Sequence, residues 1–244
     1  KISDAEKRGL DLSRWKTALI GAEPVRLDTL ERFSAAFASC GFQAGSLKPG
    51  YGLAEATLGV SIRSRGSGCC VKTVGRATLG QHRIMEASAK ETETCHLVGC
   101  GQVAADQEIA IVNPETLRRC AADEVGEIWL ASPSVAQGYW KHPRETEETF
   151  RAHIADTGEG PFLRTGDLGF YEDGELFITG RLKDMIIIRG ANHYPQDIEQ
   201  TAQKSHPALQ PDAGAAFAVE VGGEERLVVV QELVRHHKAE LDQV

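Results

Sequence analysis

The chain has 244 residues, with 27 Lys and Arg against 35 Asp and Glu, for a formal net charge of -8. That balance excludes a partner gripped through a broad basic surface, nucleic acid or an anionic membrane above all. The length allows one large domain or two small ones with a proper core, and no apolar run approaches the ~20 residues that a membrane span needs.

Six cysteines, at positions 40, 69, 70, 95, 100 and 120, contain no Cys-x-x-Cys pair and read as reduced thiols of a cytoplasmic protein. Cys95, His96 and Cys100 supply three candidate metal ligands with no fourth nearby. Lys1-Ile2-Ser3 starts inside a helical pattern without an initiator Met, no cleavable signal opens the chain, and residues 238–244 stop as a new helix begins. The expectation is a fragment of a longer protein.

In chain order, Ile2 to Leu10 predicts a helix closed near Gly9, and Asp11 to Arg14 a turn. The short apolar run Thr17 to Ile20 predicts a buried strand that delivers Gly21-Ala22-Glu23-Pro24 at its C-terminal end, where open α/β sheets place ligand loops. An ordinary strand-to-helix turn reads the same way. Leu27, Leu30, Phe33 and Phe37 recur at helical spacing, with Gly41 as the C-terminal cap.

After an expected loop at Lys48-Pro49-Gly50 comes Tyr51-Gly52-Leu53-Ala54-Glu55-Ala56-Thr57-Leu58. An aromatic ring beside Gly offers a flat face with backbone access, suited to stacking a base, and a Glu four residues on can ligate Mg²⁺ through oxygen. Residues 59–98 form a polar stretch containing an alternating piece at Cys70 to Val74, an arm from Gly75 to Met85 and a charged tract from Glu86 to Thr94. Gln107 to Val112 and Gly126 to Leu130 predict strands of a small β-barrel or sheet, and Arg144 to Phe150 a short acidic helix. His142 and His153 read as surface histidines.

Phe162 to Glu199 concentrates the chemistry. Asp167 lies between Gly166 and Gly169, in a loop whose backbone turns tightly, and a carboxylate there can hold a ribose diol. Phe170 to Ile178 predicts two strands turning at Glu172-Asp173-Gly174. Arg181, Lys183 and Asp184 form a charged cluster before the apolar run Met185 to Ile188, which Gly190 ends. Pro195 at a first helical position, followed by Gln196 and Asp197, starts a helix to Lys204; strands at Ala215 to Val221 and Arg226 to Val234, joined around Gly222-Gly223, complete an α+β unit. A domain boundary is expected between Gly180 and Asp184.

Arg164-Thr165-Gly166-Asp167-Leu168-Gly169, then Gly180-Arg181-x-Lys183-Asp184, then an apolar run with Gly, then Tyr194-Pro195-x-Asp197-Ile198-Glu199, resembles the adenylate-forming enzymes. These are the acyl-CoA synthetases, luciferases, peptide-synthetase adenylation domains and fatty acyl-AMP ligases, and the wording from Asn192 to Glu199 is most similar to the last. Taken singly, Asp167 could cap a turn and Arg181 and Lys183 could solvate a linker; their order and spacing carry the resemblance.

The resemblance implies an α/β fold: residues 1–182 as the C-terminal part of the large AMP-binding domain (a sheet plus a small β-barrel), and 183–244 as the start of a small α+β domain beyond a hinge. It implies ATP and Mg²⁺ as cofactors, and a fatty acid and an acyl carrier protein as partners. Gly21, Ala22, Glu23, Pro24 and Tyr51 would hold adenine, with Gly52, Leu53, Ala54 and Ile178 also at the nucleotide. Asp167 would hold the ribose hydroxyls, Arg181 the ribose and phosphate region, Glu55 the Mg²⁺, and Lys183 the hinge; Glu55, Arg181 and Lys183 are the implied catalytic residues. Ala54 departs from most relatives, which carry Thr where a hydroxyl meets the α-phosphate, a change that fatty acyl-AMP ligases commonly tolerate. The extra length of 59–98 resembles the insertion that marks those ligases, and Ser134 to Trp140 their Gly-Tyr-Trp segment.

The family's phosphate loop and C-terminal lysine would fall outside these residues, so the chain alone is not expected to catalyse efficiently. A fatty acyl-CoA synthetase and a non-catalytic binding module are the alternatives. The joint presence of Asp167, Arg181 and Lys183 favours an enzyme.

Overall fold

The computed structural model describes residues 2–64, 68–88, 93–188, 191–222 and 224–234. Gly190, Gly223, part of the charged tract and the helix expected from residue 238 lie outside them. The chain divides into two compact units, Lys1–Thr179 and Gly180–Val244.

The first unit opens with helix α1 (Asp4–Lys7), held by a reciprocal capping box between Ser3 and Glu6. It is shorter than the expected Ile2 to Leu10 because Arg8 is extended, with ψ 118, and Gly9 turns to φ 97. Strand β1 (Ala18–Ile20) leads to helix α2 (Leu27–Phe37), and Gly41 closes the following turn at φ 82, in the left-handed region that glycine adopts without strain. As the helical spacing requires, Leu30 is buried against Ala18, Phe42, Leu47 and Val98, with Leu27, Phe33 and Phe37 packed around them.

Strand β2 (Leu47–Gly52) replaces the loop expected at Lys48-Pro49-Gly50. It pairs in parallel with β1, and Pro49 stands opposite Ile20, the last residue of β1, so its missing N–H falls where that ladder ends. Strand β3 (Gly59–Ile62) returns antiparallel to β2. The polar stretch after it holds β4 (Val71–Gly75), α3 (Arg76–Leu79) and β5 (Thr94–Val98), with β4 and β5 paired antiparallel. Strand β6 (Gln102–Val103) completes a sheet of order β1-β2-β3-β6.

The second sheet comprises β7 (Glu108–Val112), β8 (Gly126–Ala131), β9 (Leu163–Glu172) and β10 (Glu175–Arg181), with helix α4 (Pro143–Phe150) between β8 and β9. Its order is β10-β9-β8-β7. The β9–β10 turn places Asp173 at φ 50 and Gly174 at φ 78, the positive-φ pair that an Asp-Gly hairpin favours. Strand β8 separates two cores: Leu130 packs with Ala56, Val60, Phe150 and Leu163, whereas Trp129 packs with Ala110, Val112, Ile154 and Phe162. Tyr51 and Leu53 lean on the first of these cores, which ties the two sheets together beneath the predicted site.

The second unit holds β11 (Ile186–Ile188) antiparallel to β12 (Ala191–His193), then α5 (Pro195–Ser205) with Pro at its start and Asp197 in its first turn. Antiparallel strands β13 (Leu209–Val221) and β14 (Glu224–Leu233) complete it. The architecture is mixed α/β. Among the described residues, no helix is long and apolar enough to cross a membrane.

Candidate functional site

Because β1 and β2 are parallel neighbours, the Gly21 to Pro24 segment that follows β1 and the Tyr51 to Glu55 segment that ends β2 and runs past it lie at the same end of the sheet. Gly21 to Pro24 are exposed, and Ala22 has φ 68. A Cβ at Gly21 would lie 2.7 Å from the Gly50 carbonyl oxygen, so the loop approaches β2 closely enough to require glycine.

The β2–β3 connection is equally tight. A Cβ on Gly52 would stand 1.8 Å from the Leu58 carbonyl oxygen. Between them, residues Ala54–Ala56 form a single 3-10 turn, and Thr57 adopts φ 70 and ψ -50, a costly conformation for a β-branched residue. What holds this turn is the segment before α4. The Thr57 hydroxyl donates to the Ser134 carbonyl at 2.8 Å, the Ala136 N–H donates to the Glu55 carbonyl at 2.8 Å, and the Tyr139 hydroxyl donates to Glu55 Oε1 at 2.7 Å. Burial and the bond to Glu55 push the Tyr139 phenol up to about 12, so it remains a donor at neutral pH. Its ring packs edge-on against Phe150 with centroids 5.0 Å apart.

Asp167 is buried on β9 and accepts a 2.6 Å hydrogen bond from the Tyr51 hydroxyl, across 116 positions of sequence. Two residues that the sequence singled out separately are thus joined. Asp167 stands in a bulge, where Thr165, Gly166 and Asp167 of β9 face only Ile128 of β8. The Thr165 hydroxyl donates to the Ile128 carbonyl at 2.7 Å and accepts from the Asp167 N–H at 3.1 Å. On the adjacent strand β10, half-buried Ile178 follows Phe177, whose carbonyl oxygen would lie 2.3 Å from a Cβ at Gly169.

Arg181 and Lys183 belong to the second unit. Arg181 is exposed at the end of β10, and Lys183 is exposed in the 3-10 turn Leu182–Asp184. Tyr194 packs its ring where a Cβ on Gly180 would fall 2.9 Å from Cδ1. A cleft of about 390 Å³ in the first unit, lined by Arg63, Lys72, Gln102, Glu172 and Glu175 among others, includes none of the predicted residues. Four of its charged side chains pair with one another, Arg63 with Glu175 and Lys72 with Glu172.

Tyr139 and Glu127 are functional candidates that only the folded chain reveals. The signal for Tyr139 is its place in the Ser134 to Trp140 segment, whose resemblance to Gly-Tyr-Trp carries no role for the ring. Glu127 announced itself only as a carboxylate in an otherwise apolar strand, Gly126 to Ala131, and the structure shows it fully engaged by partners on β8 and β9.

The model of the AMP-binding enzyme family matches residues 1–140. The medium-chain-fatty-acid–[acyl-carrier-protein] ligase JamA of Moorena producens is 56% identical over 241 residues, covering 98% of this chain and 41% of that protein. A structure from a study of fatty acyl-adenylate ligases from E. coli and L. pneumophila superposes with a TM-score of 0.85 at 34% identity, over 97% of this chain and 41% of that one. A fatty acyl-adenylate ligase from L. pneumophila, solved in complex with acyl adenylate and pyrophosphate, aligns at 43% identity and a TM-score of 0.73, over 100% of this chain and 42% of its own. The chain therefore spans about two fifths of the length of these relatives. With the family model matched over more than half of its residues and Tyr51 bonded to Asp167, this chain belongs to the AMP-binding enzymes.

Proposed function

We propose that this chain is the nucleotide-holding part of a fatty acyl-AMP ligase. The enzyme joins a fatty acid to ATP as fatty acyl-AMP, releases pyrophosphate, and passes the acyl group to the phosphopantetheine thiol of an acyl carrier protein. The observation that carries this reading is the Tyr51–Asp167 hydrogen bond, which links the base-stacking and ribose-binding motifs in one cluster. Its chemical specificity is supported by the similarity to a medium-chain ligase of a carrier protein and to a ligase solved with acyl adenylate.

In the first half-reaction a fatty acid carboxylate oxygen attacks the α-phosphorus of ATP and the bond to pyrophosphate breaks. In the second, a thiol attacks the acyl carbonyl and AMP departs. Such chemistry depends on positioning and charge neutralisation more than on covalent help from the protein. Tyr51 would stack on adenine, its ring plane fixed by the hydroxyl's bond to Asp167, beside Gly21 to Pro24 and the Gly52-Leu53-Ala54 backbone. Asp167 would accept hydrogen bonds from the ribose hydroxyls, with Ile178 as an apolar wall and Arg181 supplying charge toward the ribose and phosphates. Ala54 offers no side-chain donor to the α-phosphate.

The donor set fits Mg²⁺: Glu55 presents a hard carboxylate oxygen on a turn held by three hydrogen bonds. A single carboxylate is how Mg²⁺ is commonly held when substrate phosphates complete its shell. When bound there, the ion would neutralise phosphate charge. Residues 1–182 would be the large-domain part, 183–244 the start of the small domain, and Lys183 the hinge. Free cysteines and an acidic charge balance support a cytoplasmic setting.

The test is exchange of labelled pyrophosphate into ATP by the full-length protein. Exchange that depends on added medium-chain fatty acid is expected. Exchange indifferent to fatty acid would contradict the reading.

A further inference from the structure

A carboxylate in a strand buried on both faces is stable as an anion only if donors surround it. Glu127 is 2% exposed and has four. Its Oε2 accepts from Trp129 Nε1 at 2.9 Å and from Arg164 Nε and a terminal guanidinium nitrogen at 3.0 and 2.8 Å, while Oε1 accepts from the Gly166 N–H at 3.1 Å. The Arg164 guanidinium also lies 5.5 Å over the Trp129 ring. The Gly166 N–H belongs to the bulge, where register with β8 is broken, so a side chain supplies the acceptor that the strand ladder does not. Gly166 has φ 72, and Asp167 follows it directly.

We propose that Glu127 is a positioning residue for the nucleotide: by holding the Gly166 N–H it sets the angle at which the Asp167 carboxylate leaves the strand toward the ribose. The proposal rests on the reading of Asp167 as the ribose acceptor. Glu127→Gln separates the tie to the bulge from the packing. Its amide oxygen takes the Oε2 place facing Arg164 and Trp129, which leaves an NH₂ facing the Gly166 N–H, donor against donor.

The readout is the ratio of kcat/KM for ATP to that for 2′-deoxy-ATP in the full-length protein, alongside the KM for fatty acid and the melting temperature. Glu127→Gln is expected to lower the ratio about tenfold, the order expected for one lost hydrogen bond to a charged group, with the fatty acid KM unchanged. Asp167→Asn is run in parallel. If Asp167→Asn lowers the ratio and a folded Glu127→Gln does not, the positioning role is overturned while the ribose reading stands. If neither moves it, both fall. Should Glu127→Gln fail to fold, Glu127→Asp retains the charge, withdraws it by one methylene from Gly166, and is judged by the same comparison.

Discussion

Asp167→Ala in the full-length protein should raise the KM for ATP in pyrophosphate exchange by about 10- to 100-fold, because loss of charge-assisted hydrogen bonds costs roughly 1.5 to 3 kcal/mol and each 1.4 kcal/mol is a factor of ten. Two effects add at this position. The ribose hydroxyls lose their proposed acceptor, and the Tyr51 hydroxyl loses the oxygen that holds it at 2.6 Å, which removes one restraint on the ring proposed to stack on adenine. The fatty acid dependence should change far less, because Asp167 lies on the nucleoside side of the proposed reaction. An ATP titration identical to wild type would remove Asp167 from the site.

Gly52→Ala should be more damaging still, and through the backbone. The added Cβ would meet the Leu58 carbonyl oxygen at 1.8 Å, its carbon at 2.8 Å and Gly59 Cα at 3.2 Å, all main-chain atoms that cannot swing aside. The β2–β3 connection must open, which displaces Tyr51 on one side and the Glu55 turn on the other. Overpacking of this kind costs about 1 to 3 kcal/mol, and a lowered melting temperature with exchange abolished is the expected result. Gly59→Ala is the matched control, since a Cβ there meets nothing within 4 Å. Its stability should stay within roughly 0.5 kcal/mol of wild type. Equal behaviour of the two variants in calorimetry would refute the close approach.

Local chemistry made much of this legible from sequence. The Asp173-Gly174 turn, the apolar face of α2 and the Pro195 helix start each depend on residues a few positions apart, and each was found where expected. Other features depend on partners remote in the chain. Nothing near Pro49 indicates a strand, because what makes one possible is β1 ending opposite it. Tyr139 reaches Glu55 across 84 positions, and Glu127 reaches Arg164 and Gly166 across 37 and 39. The sequence pattern reads Gly126 to Leu130 as a strand, and β8 forms there; what it does not reveal is that the carboxylate inside that strand accepts from the bulge carrying Asp167. Nor does composition mark Thr57 as the residue that takes the positive φ in the Glu55 turn.

The fate of the acyl group separates a ligase of a carrier protein from an acyl-CoA synthetase, and one product assay follows it. The full-length protein is incubated with labelled medium-chain fatty acid, ATP and Mg²⁺, with free CoA in one arm and a holo acyl carrier protein in the other. Accumulation of fatty acyl-AMP without acceptor, transfer to the carrier protein and little acyl-CoA are the predicted results. Rapid acyl-CoA synthesis would contradict the proposed transfer to a carrier protein and make the protein an acyl-CoA synthetase; absence of any adenylate would leave an AMP-binding fold without the chemistry.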